Sequence, residues 1–422
     1  MNQRRIGAPY FLATILFCCA TATADEPDVD LKKAEALFAS KDYVRAKEAF
    51  ERALSSARLA DGAAQAGILS RLGDTCAELK DGPGAIAYYR KSLKVAGEDW
   101  PERLNVAWRL ALVHQKRGHV DASIAVLTEE LTRSGQTPSR EPWVVARRLL
   151  GLLLATKREW REAERVLEDT LSKMPDESRL RCSVMATLAE VLMARGQYVR
   201  AEDLLYRYFQ VKSRPEDAAR QVHLLVVLAE LYLRMGYPPD GEALARTAIK
   251  ELDKIPESER SAVAAYAWSL LGRVLVREGR IEEAADAVGQ AQRVDADGAL
   301  AGLAAIEVAY RRGSYGDVCD IAKRLLVKQE GDATLYVADV LYCGARALDR
   351  SGDVEEAGAW YARAVAAFER LDPEHPELVG VLRASADLLK RTGDSEGAAR
   401  LRERAAKVER EYLETVPEDR RR

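Results

Sequence analysis

Histidine is scarce in this sequence, with only His114, His119, His223 and His375 in 422 residues. His114 and His119 stand five apart and straddle a helix end, which does not suit a zinc pair. Beyond the first 24 residues the cysteines are Cys76, Cys182, Cys319 and Cys343, with no Cys-x-x-Cys among them. A metal knuckle is excluded by that spacing. Cys319 and Cys343 fall on successive predicted helices, so an oxidising compartment would permit a bridge; small buried thiols are the alternative reading for all four. The chain contains neither a phosphate-cradling G-x-x-x-x-G-K-[ST] loop nor a G-x-S-x-G elbow, and Asp81-Gly82-Pro83-Gly84 is a turn between helices. Nothing sets a nucleophile beside a base and an orienting group. The expectation is therefore no enzyme, no cofactor and no metal. A long basic stripe is also missing, which argues against a nucleic-acid partner. With 14 prolines and 27 glycines the chain has few interruptions, so long disorder is not expected.

What is present begins with an export signal. Arg4 and Arg5 form a positive start, Tyr10 to Ala22 is uncharged and mostly apolar, and Ala22-Thr23-Ala24 is a small-x-small cleavage site before Asp25. The apolar run falls short of the roughly 20 residues that span a bilayer, so an uncleaved anchor is the weaker reading. Cleavage removes two arginines and no acid, which moves the formal net charge from −3 to −5. No later run is long enough to cross a membrane, and a periplasmic or secreted location is expected.

Residues 25–416 carry a ruler. A turn followed two positions on by an apolar or aromatic residue, and five positions on by Ala, starts at Lys41, Gly196, Gly279 and Gly352, with looser copies at Lys80, Gly118, Arg158, Gly236, Gly313 and Gly393. Most of these starts lie about forty residues apart. Apolar residues at 3–4 spacing flank each turn, as Trp268, Leu271, Leu275 and Val276 do before Gly279 and Ala284, Ala287, Val288 and Ala291 do after it. The unit is helix A, tight turn, helix B. Seven positions before each start stand Ala34, Gly73, Ala111, Gly151, Ala189, Ala229, Gly272, Ile306, Ala345 and Ala386; five after stand Ala46, Ala85, Ser123, Ala163, Ala201, Gly241, Ala284, Val318, Ala357 and Ala398. Two slots kept small in this way mark close helix–helix contact, where overpacking costs ~1–3 kcal/mol. Ile306 and Val318 are the bulky exceptions, and they predict altered helix-pair geometry over 299–330.

This pattern resembles the tetratricopeptide repeat, over roughly residues 28–412. Its period resembles the longer repeats of kinesin light chains and their bacterial relatives, and Leu371-Asp372-Pro373-Glu374-His375-Pro376-Glu377-Leu378 looks like a linker of that subclass. The resemblance implies an all-α fold, a tetratricopeptide-type α-solenoid of about ten antiparallel helix pairs, ending in a frayed tail over 417–422. It also implies protein or peptide partners held on the concave face of the A helices. Carried onto this sequence, the groove positions include Trp108, Arg148, Glu190, Glu230, Tyr266, Arg273, Glu307, Tyr310, Tyr342 and Arg346, a mix of aromatics, arginines and acids suited to gripping an extended segment. Trp108 and Tyr266 also read as core residues, and Glu307 and Arg346 as a pair neutralising each other. No repeat offers the lysine–asparagine pair of a co-chaperone tail clamp; the matching slots hold Ser70 and Asp74, or Trp108 and Leu112. A second reading takes Tyr266, Tyr310 and Tyr342 as sugar-stacking residues of a glycan-binding or polysaccharide-secretion component.

Overall fold

The computed structural model describes residues 26–56, 62–134, 141–175, 178, 180–210, 218–296, 298–327 and 334–418. The expected signal (1–24) and the tail residues 419–422 lie outside them. Among the described residues there are twenty α-helices in sequential antiparallel pairs. They are α1 Glu26–Ala39 and α2 Tyr43–Ser56; α3 Gly62–Glu78 and α4 Gly82–Val95; α5 Arg103–Lys116 and α6 Val120–Arg133; α7 Glu141–Thr156 and α8 Trp160–Lys173; α9 Arg181–Ala194 and α10 Tyr198–Gln210. Then follow α11 Ala218–Met235 and α12 Pro238–Glu251; α13 Glu257–Arg277 and α14 Ile281–Val294; α15 Ala299–Arg311 and α16 Tyr315–Val327; α17 Leu335–Ser351 and α18 Val354–Leu371; α19 Leu378–Arg391 and α20 Ser395–Thr415. The chain divides into two compact units, one ending at Thr187 and the other beginning at Leu188, within α9.

The ten turns are built alike. Among the described residues, positive φ occurs at the ten turn starts read from the sequence: Lys41, Lys80 and Arg158 at 62–67°, and the seven glycines at 70–96°. In each, the N–H of the following residue bonds the carbonyl five positions back, as Asp81 does to Cys76 at 2.8 Å and Arg280 to Leu275 at 2.9 Å. That bond satisfies a carbonyl left over at the end of helix A and reverses the chain in two residues. Where the following residue is Asp it also caps helix B: Asp81 accepts from the Gly84 N–H at 2.9 Å, and Asp394 from Gly397 at 2.8 Å.

The two small slots are buried in every pair. A Cβ on Gly73 would stand 2.5 Å from the Tyr89 ring, and one on Gly151 2.7 Å from Leu167. Close approach of A and B is thus what the small side chains permit. In the pair formed by α15 and α16 the bulky Ile306 and Val318 are fully buried, and the tight glycine contact moves outward to Gly302 against Leu325, about one helical turn farther from the turn. Cys76, Cys182, Cys319 and Cys343 are all free thiols. None of the helices among the described residues is long and apolar enough to cross a membrane.

Candidate partner-binding surface

In the N-terminal unit the A helices are linked by charge. Arg71 of α3 donates from Nε to Glu35 of α1 at 2.7 Å and reaches Asp74 at 3.4 Å. Arg109 of α5 grips Asp74 at 2.6 and 2.7 Å, and the Tyr89 hydroxyl donates to the same carboxylate at 2.7 Å. Burial alone would lower the Arg109 pKa; the Asp74 charge outweighs it and holds the guanidinium more basic than usual. Of the expected partner-binding residues, Trp108 on α5 is half-buried and its indole N–H donates to Asn105 at 3.3 Å. Arg148 on α7 is also half-buried.

The C-terminal unit divides the expected residues in two. Glu230 of α11, Tyr266 and Arg273 of α13 and Glu307 of α15 form one ion network with two residues outside the expected set of ten, Arg234 and Asp339. Arg234 donates to Glu230 and to Asp339 of α17, each at 2.8 Å. Arg273 donates from Nε to Glu307 at 3.1 Å and lies 3.6 Å from Glu230 and 3.5 Å from Asp339. The Tyr266 hydroxyl donates to the second oxygen of Glu230. Burial would raise the Glu230 pKa, but Arg234, then Arg273, and the Tyr266 hydrogen bond overcome it and hold the carboxyl at about 2. Glu230 and Arg273 therefore present their charges to neighbours rather than to solvent. The other oxygen of Glu307 is buried and unbonded.

Four expected residues of this unit stand apart from that network. Glu190 is exposed and lies 3.1 Å from His223 Nε2. Tyr310, Tyr342 and Arg346 are partly exposed and cluster where α15 meets α17. The Arg346 guanidinium sits 4.3 Å from the Tyr310 ring centre and 5.5 Å from that of Tyr342. Among the described residues no carboxylate pairs with Arg346, so the expected Glu307–Arg346 pair does not form. Glu307 is taken by Arg273, and Arg346 lies on aromatic faces instead. Beside it, burial pushes the Cys343 thiol up to about 12, with Glu307 and Asp339 adding to the shift, so this thiol stays protonated and inert.

The tetratricopeptide repeat family profile matches residues 31–101, 226–299 and 269–317. Over those segments the chain carries tetratricopeptide repeats. The family is generally one of protein-interaction scaffolds and is usually non-catalytic. Solved structures similar to this tetratricopeptide array include a tetratricopeptide repeat protein from Parabacteroides merdae, at 17% identity over 67% of this chain and 98% of that one, TM-score 0.48. Apo RapI is similar at 14% identity over 65% and 100%, TM-score 0.49. A putative kinesin light chain of Podosopora anserina with nearly identical repeats is similar at 22% identity over 46% and 96%, TM-score 0.40. Among curated proteins, none matches the chain.

Sequence reasoning missed Arg195, Tyr198, Arg234 and Glu377 of this tetratricopeptide array as interacting residues, and saw Leu371–Leu378 as a linker alone. Arg195 donates from Nε and Nη2 to Asp372 at 3.1 and 2.8 Å, and the Tyr198 hydroxyl donates to Glu377 at 3.2 Å, across more than 170 residues of chain. The available signal was the density of acid in that linker, opposite arginines placed one and two positions before the turns at Gly196 and Gly236.

Proposed function

We propose that this chain is an exported, non-catalytic scaffold that holds an extended protein segment on the A-helix face, with Tyr310, Tyr342 and Arg346 as the anchor in the C-terminal unit. The observation that carries this reading is Arg346, a partly exposed guanidinium backed by two tyrosine rings and left without a carboxylate. Arginine and tyrosine in such a setting are the residue types that concentrate binding energy at interfaces. A carboxylate or backbone carbonyl of the partner would complete the guanidinium's hydrogen bonds. Trp108 and Arg148 serve the same role in the N-terminal unit. Sugar stacking is the poorer fit, because Arg346 already covers a face of Tyr310.

The test is capture from an envelope extract with the wild-type chain and with Tyr310→Ala/Tyr342→Ala/Arg346→Ala. The expected result is loss of specific proteins from the variant's eluate while its helix content is unchanged. Identical eluates would reject the anchor. Glycan in place of protein in the wild-type eluate would reverse the reading. Export is tested separately by the mature N-terminus, expected at Asp25.

A further inference from the structure

The linker between α18 and α19 does more than connect them. Asp372 binds Arg195 at the end of α9, and both side chains are nearly buried. Glu377 accepts from Tyr198 of α10 and lies 3.6 Å from Arg234 of α11. His375 is fully buried, with the Tyr198 ring 6.1 Å away edge-on and Phe368 at 5.2 Å. Pro376 covers Gly196 so closely that a Cβ there would run into its ring. Tyr198 also meets Tyr412 of α20 at 6.1 Å. The first helix pair of the C-terminal unit is thereby tied to its last.

Three properties distinguish this tie from ordinary core. Among the described residues, the hydrogen bonds made by the linker backbone stay local: Asp372 to Phe368, His375 to Asp372, Leu378 to His375 and Val379 to Pro376. Its departure from α9, α10 and α11 would break no backbone pairing. The attachments that would break include the Asp372–Arg195 and Glu377–Arg234 ion pairs, and buried ions regain hydration when they separate. The His375 Nε2 is buried without a hydrogen-bond partner, and it would gain water on leaving. Separation is thus cheaper than its buried area suggests.

We propose that Asp372–Glu377 is a detachable clasp, which closes the C-terminal unit through Arg195, Tyr198 and Arg234 and uncovers the Arg234 end of the inner ion network when it leaves. Opening takes Glu377 from Arg234 and Asp372 from Arg195, while Glu230 and Asp339 stay on Arg234. The clasp segment, extended and acidic, is the built-in occupant of that seat.

Hydrogen exchange followed by mass spectrometry on the full chain tests this directly. In the wild type, peptides covering 195–200 and 371–378 exchange together and ahead of α11 and α13. In Asp372→Asn/Glu377→Gln their exchange accelerates by roughly tenfold to a hundredfold, the scale of lost charged hydrogen bonds, while α13 is unaffected. A synthetic peptide of residues 370–379 then binds that variant and not the wild type. Exchange of the clasp only together with α13 in the wild type would overturn the proposal even if the variant failed to fold. So would a folded variant with unchanged exchange, or one with an open clasp that ignores the peptide.

Discussion

His375 makes the C-terminal unit acid-sensitive in a way that can be calculated. Burial lowers its imidazole pKa from 6.5 to about 3, with the nearby Arg234 charge adding to the shift. Tyr198 from α10, Arg234 from α11, Phe368 from α18 and the linker's own Asp372 and Glu377 surround it. Because the folded value is depressed, the unfolded chain binds the extra proton between the two pKa values. The stability is full above pH 6.5 and drains as pH falls toward 3, at about 1.4 kcal/mol per pH unit. Between pH 7 and pH 4 the loss from this one ring amounts to about 3 kcal/mol. His375→Asn removes the titration while Asn offers an oxygen where Nδ1 accepts the Glu377 N–H at 3.2 Å. Urea unfolding of both proteins by circular dichroism at pH 7, 6, 5 and 4 reads the difference. The variant starts less stable, because the contacts to Tyr198 and Phe368 are cut back, and the gap to wild type closes as pH falls. A difference that stays constant across that range would refute the burial argument for His375, whatever the absolute stabilities.

Two further substitutions in the α3–α4 repeat should act in opposite directions. Gly73→Ala places a methyl 2.5 Å from the Tyr89 ring and is expected to cost ~1–3 kcal/mol in chemical denaturation. Lys80→Gly relieves a non-glycine residue held at φ 62° and is expected to raise stability by about 1 kcal/mol, read as a higher melting temperature.

The ruler was legible because each of its marks is local. A turn residue and two small slots declare themselves within a dozen positions, so all ten turn starts could be placed from residue spacing alone. Lys41, Lys80 and Arg158 were legible by phase, although a non-glycine residue at positive φ carries little signal of its own. The binding surface was less legible because it depends on which A helices converge. Position in the repeat put Glu230, Arg273, Arg346 and Tyr342 on one face. It did not foretell that α11 and α13 both reach Asp339 of α17, or that this convergence would bury Glu230 and Arg273 and leave Arg346 on its tyrosines. Asp372 meeting Arg195 is a contact across 177 residues, and no periodic reading reaches that far.

The ion networks have a consequence for assembly during folding. Alanine and glycine slots are nearly the same in every repeat, so on their own they would accept a neighbour from the wrong place in the chain. Repeat proteins are prone to that kind of misassembly. Glu230 to Arg273 to Glu307 alternates in sign from one A helix to the next, so these successive junctions differ in charge. Were α15 to dock on α11 in place of α13, Glu307 would face Glu230, a carboxylate against a carboxylate. Interchangeable slots supply adhesion, and the charges act as addresses.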